Sequence, residues 1–245
     1  FAFGNIKSIQ TFLNALLTPM GNSPAEFLKN KGPKQLSSLY KDHYYRWVRD
    51  VDLMLFLFRI GSLLREYGNL EEAFFESPKK TPSLNLKPSA IKLSKTNYLK
   101  EMAAFRELLL NISCDEIPLR HRSYLRESGQ VIQLRNASDT LLPDPLAGAA
   151  KRYHLFMRWV VRKDDGIDLG CWKADPAKLV MPVDTHVFQA TKTLRINKQN
   201  TANLPMACDL TKRFLRYDPK DPVRFDFSLT RPGIMGIREA IKQIR

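Results

Sequence analysis

An acidic residue at the start of an apolar run is the feature of this chain that most suggests chemistry. Residues Met181–Phe188 read Met-Pro-Val-Asp-Thr-His-Val-Phe, which places Asp184 where a helix is predicted to begin. A carboxylate at this position can accept hydrogen bonds from the free backbone N–H groups of the first helical turn. Asp184 is therefore either an ordinary N-cap or a charged group that a helix end presents for catalysis.

A lysine occupies a comparable position upstream. Two prolines interrupt Leu141–Lys151 before the small residues Gly148, Ala149 and Ala150, so a tight turn is predicted to deliver Lys151 to the start of another helix. Backbone N–H groups at such a helix start can bind a phosphate. An amine and a carboxylate at two helix N-termini suit nucleophilic attack on a sugar carbon. The alternative is that Lys151 only contacts a phosphate at the surface.

Together the two motifs resemble the helix-hairpin-helix DNA glycosylase superfamily. Gly148–Lys151 is similar to the end of its hairpin, and Pro182–Val187 is similar to the segment that carries its catalytic aspartate. The hairpin has a single glycine, and an insertion at Lys163–Leu179 places the lysine and the aspartate 33 positions apart (184 minus 151). Both departures look like the archaeal-type 8-oxoguanine DNA glycosylase branch and its bacterial relatives.

This resemblance implies a DNA glycosylase with AP lyase activity that excises an oxidised purine, 8-oxoguanine in that branch, from double-stranded DNA. It implies that Lys151 attacks C1′ of the flipped nucleotide and that the Asp184 carboxylate stabilises the charge on the sugar. Asp226, expected on a C-terminal helix, is implied to hold the base, although Thr230 stands where an aromatic residue is usual. The resemblance also implies a monomer that needs no metal or organic cofactor.

Three alternatives stay open at this stage. The excised base could be an alkylated purine or an oxidised pyrimidine. The chain could also be a non-catalytic nucleic-acid-binding protein on the same fold, with Lys151 as a phosphate contact. Lys163, beside Asp164 and Asp165, is a weaker candidate for the nucleophile, since a salt-bridged helix end explains it equally well.

Further residues are predicted to contact the base or the DNA. Trp172 either anchors the insertion or borders the base pocket, and Asp144 either caps the hairpin turn or touches the site. The gap left by a flipped base needs a side chain to fill it, for which the candidates are Phe58, Arg59 and Tyr45. The predicted substrate contacts are Asp226, Trp172 and Phe58, and the predicted DNA contacts are Gly148, Ala149, Ala150, Arg152, His186 and Arg59.

The histidines and cysteines predict neither a metal site nor a disulfide framework. His121, His154 and His186 do not follow a recognised ligand spacing. The three cysteines are far apart and odd in number, which disfavours paired disulfides and a four-thiolate cluster and favours a reducing cytoplasm.

The charge of the chain points to a polyanionic partner. The 245 residues carry a formal net charge of +14 and a pI near 9.8, and binding of phosphates would release counterions. A generally basic proteome or a role at a membrane surface would give the same balance. No apolar run is long enough to cross a bilayer. The opening Phe1–Gly4 lacks a methionine and is predicted to lie inside a helix, so sequence is expected upstream.

Apolar residues recur at helical spacing throughout, and alternating strand patterns are scarce. The prediction is an all-α fold, a single glycosylase-like domain of two intertwined lobes with the active-site cleft between them. A Lys- and Pro-rich stretch at 77–95 is predicted to be a basic loop. The predicted buried face of the helix after Lys151 consists of Tyr153, Leu155, Phe156, Trp159 and Val160. The predicted helices cover about 3–17, 50–67, 98–112, 151–162, 185–194, 201–217 and 237–244, with short ones from Pro24 and Leu70.

Overall fold

The computed structural model describes residues 1–82, 96–114, 141–163 and 166–235, the last four of them as backbone only. Every regular element in these ranges is a helix, which confirms the all-α prediction for the described part of the chain. The only pairing of strand type within those ranges is an isolated antiparallel bridge between Tyr45 and Val48. The chain divides into two compact units, residues 1–84 with 104–143, and residues 85–103 with 144–245.

A long buried helix organises the first unit. Its helices are α1 (Ile6–Leu17), α2 (Pro24–Lys29), α3 (Pro33–Leu39), α4 (Asp50–Tyr67), α5 (Leu70–Lys80) and most of α6 (Leu99–Asn111). Helices α2, α3 and α5 pack against α4, whose leucines are buried on several sides. A Cβ at Gly61 would lie 2.4 Å from the Leu28 carbonyl oxygen, so glycine is what allows α2 to approach α4 this closely. As predicted, α4 ends at Gly68, which has φ 80°.

The second unit contains the two motifs that suggested chemistry. Its helices are α7 (Lys151–Val161), α8 (Thr185–Thr193), α9 (Leu204–Phe214) and α10 (Asp226–Met235). Helices α8 and α10 pack against each other. Asp184 caps the first turn of α8 and Asp226 is the first residue of α10, so each of these packed helices carries a carboxylate at its start. Among the described residues, no helix is both long and apolar enough to span a membrane.

Two predicted boundaries in the first unit are wrong. Helix α1 begins at Ile6, where the Asn5 side chain accepts the Lys7 N–H, so Phe1–Gly4 is not helical. Helix α5 continues to Lys80 with Pro78 inside it, so the predicted basic loop cannot begin at residue 77. Pro78 has no N–H to donate to the Phe74 carbonyl, which accepts the Ser77 hydroxyl at 2.7 Å instead. Residues 83–95 of that loop lie outside the described residues.

In the second unit, α9 begins at Leu204, later than predicted, because the Asn203 side chain caps the N–H of Met206. The apolar spacing did not predict α10, whose sequence holds a proline and a glycine. The helix predicted at 237–244 lies outside the described residues. In α7, the buried side chains include His154, Met157 and Arg158, whereas Trp159 is 37% exposed. The predicted buried face of α7 is confirmed at Val160 and wrong at Trp159, and Tyr153, Leu155 and Phe156 are half-buried. The polar residues His154 and Arg158 are buried beside Met157 instead.

Candidate active site

The lysine and the aspartate singled out by the sequence form an ion pair. The Lys151 Nζ lies 3.2 Å from Oδ2 of Asp184, although 33 positions separate the two residues (184 minus 151). The lysine side chain is 39% exposed and the aspartate side chain 18% exposed. The pair is therefore fixed in geometry while its amine stays accessible from solvent.

Lys151 is positioned by a turn with two residues in the left-handed region. Gly148 has φ 61° and Ala150, the N-cap of α7, has φ 47°. Alanine in this conformation costs about 1–2 kcal/mol, which the rest of the turn must offset. Asp144 contributes, since its carboxylate accepts the N–H of Leu146 at 2.9 Å and so caps the turn. Nothing lies within 4 Å of a Cβ placed on Gly148, so that part of the turn is open to an approaching molecule.

Asp184 is held by its own helix and by the buried segment that precedes it. Its Oδ1 accepts the N–H of Val187 at 2.9 Å, as expected for an N-cap, which leaves Oδ2 toward Lys151. The preceding residues 179–183 are buried. Within that segment the N–H of Met181 donates to the Thr211 hydroxyl of α9 at 2.9 Å. The carboxylate is thus oriented from both sides, and its cap role and its ion-pair role coexist.

A second carboxylate lies near this pair. Asp226 at the start of α10 is 5% exposed, and its Oδ2 contacts Nη1 of Arg158. Burial raises the pKa of Asp226 above its ordinary value, the charge of Arg158 opposes that rise, and the charge of Asp184 adds to it. Asp226 is thus close enough to Asp184 for the charge of Asp184 to contribute to its raised pKa.

A chain of alternating charges continues from Asp226 into the insertion. Arg158 also donates from Nε to Asp168 Oδ2 at 3.1 Å, and Arg162, one turn later on α7, donates to the same oxygen at 2.9 Å. Arg162 in turn donates from Nε to Asp221 at 2.6 Å. The Asp168 side chain is fully buried. Sequence reasoning missed these partners, although two arginines four positions apart would have indicated a shared acidic partner.

The insertion is fastened to the end of α7. Leu169 and Gly170 both donate their N–H groups to the Trp159 carbonyl, at 2.7 and 3.0 Å, and Trp172 donates to the Val160 carbonyl at 2.8 Å. These bonds satisfy carbonyls that a helix end leaves without a partner inside the helix. Gly170 has φ 56°, and a Cβ there would lie 2.6 Å from the Lys163 side chain. The insertion therefore extends α7 as a packed element and delivers Asp168 to the two arginines.

Trp172 packs the insertion against α7 and does not line an open pocket. Its side chain is 7% exposed, and its ring meets the ring of Phe156 edge to face at 5.4 Å. This is the anchoring role that the sequence left open for Trp172. A contact with a flipped base stays a prediction.

His154 is an unusual group three residues after Lys151. It is 1% exposed, and neither ring nitrogen has a hydrogen-bond partner. Burial lowers the pKa of the imidazole from 6.5 to about 4, because the charged form would lose its hydration. His154 is thus a neutral core residue of α7.

This burial predicts acid sensitivity. Between pH 6.5 and about 4 the unfolded chain binds a proton at His154 that the folded chain does not. The free energy of unfolding therefore keeps its full value above pH 6.5 and decreases as the pH falls toward 4, by about 3 kcal/mol in total. Urea unfolding at a series of pH values should show this slope in the natural chain and a shallower one in His154→Leu. Equal pH dependence of unfolding in the natural chain and in His154→Leu would contradict a buried, neutral His154.

The chain was compared with known proteins. The family model described as "Protein of unknown function (DUF2400)" matches residues 1–235. The chain belongs to the DUF2400 family. No curated protein and no solved structure matches the chain significantly. In this DUF2400 protein, assignment of the site therefore depends on the geometry of its own residues.

The remaining predicted contacts of the DUF2400 chain are dispersed. Arg152 and His186 are both half-buried in the second unit, and Nδ1 of His186 is buried without a hydrogen-bond partner. Phe58 and Arg59 belong to the first unit. The Phe58 ring is partly buried with the Arg65 guanidinium 5.7 Å from its centroid. Arg59 donates to the carbonyls of Leu110 and Ile112 at the end of α6, a structural role that sequence reasoning did not foresee.

Tyr45, the third candidate for filling the gap in the DNA, is buried. It is 6% exposed and its hydroxyl donates to the Phe3 carbonyl at 2.6 Å, so its ring is not free to enter a duplex. The structure thus gives Tyr45 a role in the core. The described residues contain no group of three or more side chains that could hold a metal ion, and their three cysteines are free thiols.

Proposed function

We propose that the chain is a DNA glycosylase with AP lyase activity that excises an oxidised purine, 8-oxoguanine, from double-stranded DNA. The observation that carries the proposal is the 3.2 Å pairing of the Lys151 amine with the Asp184 carboxylate, each at a helix N-terminus. A lysine nucleophile beside a carboxylate that can accept its proton is the minimum equipment for imine-forming attack on a sugar carbon.

The charge of the chain supports DNA as the partner. A formal charge of +14 favours a polyanion through counterion release, and the second unit places its cluster next to an exposed turn. In this proposal the turn at Gly148, Ala149 and Ala150 approaches a phosphate with its backbone. The helix-hairpin-helix-like element, the two-lobed architecture, a monomeric state and a DNA-associated cytoplasmic location are parts of the same proposal.

The reaction begins when the damaged nucleotide leaves the stack. Asp184 accepts a proton from the Lys151 ammonium and passes it to solvent, so its carboxylate is charged again when positive charge develops on the sugar. The Lys151 lone pair forms a bond to C1′, and the electron pair of the glycosidic bond leaves with the base, which takes up a proton. The C1′–O4′ bond then opens, O4′ is protonated, and a Lys151 imine remains.

The imine accounts for strand cleavage. It acidifies the C2′ proton, whose removal expels the 3′ phosphate by β-elimination, and water finally releases Lys151. Asp226 is assigned to the base. Arg158 holds Oδ2 of Asp226, and the Thr230 hydroxyl lies 3.4 Å from its Oδ1. In this proposal the Asp226 carboxyl and the Thr230 hydroxyl both contact the purine. The raised pKa of Asp226 fits a carboxyl that changes partner or protonation when a base arrives.

The test is borohydride trapping with duplexes that each carry a single lesion. Hydride reduces the imine to a stable amine, which links the protein to the DNA. We expect a covalent adduct with the 8-oxoguanine duplex, no adduct with Lys151→Ala, and an unchanged adduct with Lys163→Ala, an exposed lysine just beyond α7. Peptide mapping should place the link on Lys151.

The other outcomes overturn parts of the proposal in different ways. An adduct only with another lesion would discard 8-oxoguanine and keep the mechanism. An adduct on Lys163 would move the nucleophile. Tight binding without any adduct, and without release of the base, would identify a non-catalytic DNA-binding protein. In that case Lys151→Ala would weaken binding to all sequences and lower the salt dependence of the affinity.

A further inference from the structure

An exposed aromatic turn in the first unit has no part in the site described above. It comprises Tyr44, Tyr45, Arg46 and Trp47, between α3 and α4, and is called the 44–47 turn below. Tyr44 is 76% exposed and Trp47 is 46% exposed. The two exposed rings belong to the same short turn, and exposed apolar surface gathered in one place is more informative than scattered single residues.

The turn is held firmly. Tyr45 and Val48 exchange both backbone hydrogen bonds, at 2.9 and 3.0 Å, which closes a four-residue loop. Tyr45 points into the core and donates to the Phe3 carbonyl, while the Trp47 ring stacks on the Phe3 ring at 4.8 Å between centroids. A Cβ on Gly4 would lie 2.6 Å from the Tyr45 hydroxyl, so the turn fits closely against the chain start. The Trp47 ring is thus pre-oriented, and the backbone that carries Tyr44 is fixed, which reduces the entropy lost on binding.

The turn also carries positive charge. Arg46 is exposed, and its guanidinium lies 5.5 Å from the centroid of the Trp47 ring. Arg46 has φ 57°, a conformation in which a glycine would avoid a cost of about 1–2 kcal/mol. Residues 41–49 contain the exposed cations Lys41, Arg46 and Arg49 against one exposed acid, Asp42. Aromatic rings interleaved with cations are the combination that binds unpaired nucleobases and their phosphates.

We infer that the 44–47 turn is a stacking platform for unpaired bases of a DNA strand, with Tyr44 and Trp47 against the bases and Arg46 against the backbone. This inference rests on the proposed function only in taking DNA as the partner. It assigns a DNA-binding role to the first unit, which contains none of the residues around Lys151. It also replaces Tyr45, which is buried, by its two exposed neighbours.

The experiment measures binding, by fluorescence anisotropy, to a single-stranded oligothymidine, to a fully paired duplex, and to the same duplex with an unpaired base opposite an abasic site. Stacking on one aromatic ring is worth roughly ten-fold or more in affinity. We expect Tyr44→Ala and Trp47→Ala each to weaken binding to the two DNAs with unpaired bases by about this factor, and Trp47→Phe to retain it. Binding to the paired duplex should change little.

Tyr217→Ala is the matched control, since Tyr217 is an equally exposed tyrosine (78%) in the second unit. It should leave all three affinities unchanged. The salt dependence supplies a second readout, because Tyr44→Ala removes no charge and should keep the slope, whereas Arg46→Ala should lower it. Circular dichroism melts of each variant verify that the fold is retained.

Equal affinities of the Lys151→Ala chain with and without Tyr44→Ala/Trp47→Ala for all three DNAs would overturn the inference. A loss of the same size on the paired duplex would also overturn it. All binding is measured in the Lys151→Ala background, so no turnover contributes. If trapping fails but the aromatic variants lose affinity, the platform stands and the proposed activity falls.

Discussion

Replacing Asp184 by asparagine is expected to slow base excision by about a hundred-fold to a thousand-fold while the protein stays folded. Asparagine keeps the oxygen that accepts the Val187 N–H, so the cap of α8 survives. What is lost is the negative charge that lies 3.2 Å from the Lys151 amine. In the proposed mechanism, the variant therefore lacks a nearby base for the lysine proton and a negative charge to stabilise the sugar cation.

The measurement is release of 8-oxoguanine under single-turnover conditions, alongside the affinity for the lesion duplex. Affinity should change little, since asparagine has nearly the shape of aspartate. Asp175→Asn is the matched control, because Asp175 also caps a helical turn, through the Ala177 N–H at 2.9 Å, and is exposed. Near-normal excision by Asp184→Asn, with mass spectrometry showing that the asparagine is intact, would remove Asp184 from the mechanism.

Replacing Arg158 by methionine is expected to lower the free energy of unfolding by about 3–5 kcal/mol. The arginine side chain is 6% exposed, and its partners Asp168 and Asp226 are 0% and 7% exposed. Methionine replaces the aliphatic part of the arginine side chain, but it leaves the buried carboxylates of Asp168 and Asp226 without the Arg158 guanidinium. Removing one partner of a buried ion pair is costly because the other charge cannot regain water.

Urea unfolding measures this loss. Arg224→Met is the matched control, since Arg224 pairs with Asp218 but is 59% exposed, and screening by solvent should make its loss much smaller. The double variant Arg158→Met/Asp226→Asn should recover part of the loss, because it removes one of the stranded charges. A loss in Arg158→Met no greater than in Arg224→Met would show that the chain of charges does not stabilise the second unit.

The sequence predicted the parts of the site that follow local rules. Asp184 begins a helix because an acidic side chain before an apolar run satisfies the first N–H groups, and this can be recognised from neighbouring residues alone. The turn before Lys151 was predictable for the same reason, from two prolines followed by small residues. A resemblance implied that Lys151 and Asp184 act in one reaction, and the structure places their side chains 3.2 Å apart.

What could not be predicted depends on contacts between distant residues. The buried face of α7 was assigned to apolar residues, whereas His154 and Arg158 are buried there. Arg158 can be buried only because Asp168 and Asp226 reach it from ten and sixty-eight positions away. Likewise, Tyr45 rather than Tyr44 is buried because its hydroxyl reaches the Phe3 carbonyl, which no local pattern reveals. Helical periodicity predicts where a helix lies more reliably than it predicts which polar residues are neutralised by partners elsewhere.

The insertion after α7 also has an evolutionary consequence. Asp168 bridges Arg158 and Arg162, which lie one helical turn apart at the end of α7, and Gly170 fits closely beside them against Lys163. A chain that shortened this loop would lose the carboxylate that the two arginines share. We therefore expect residues 158, 162, 168 and 170 to be inherited as a set, with loop length and arginine content changing together in DUF2400 proteins.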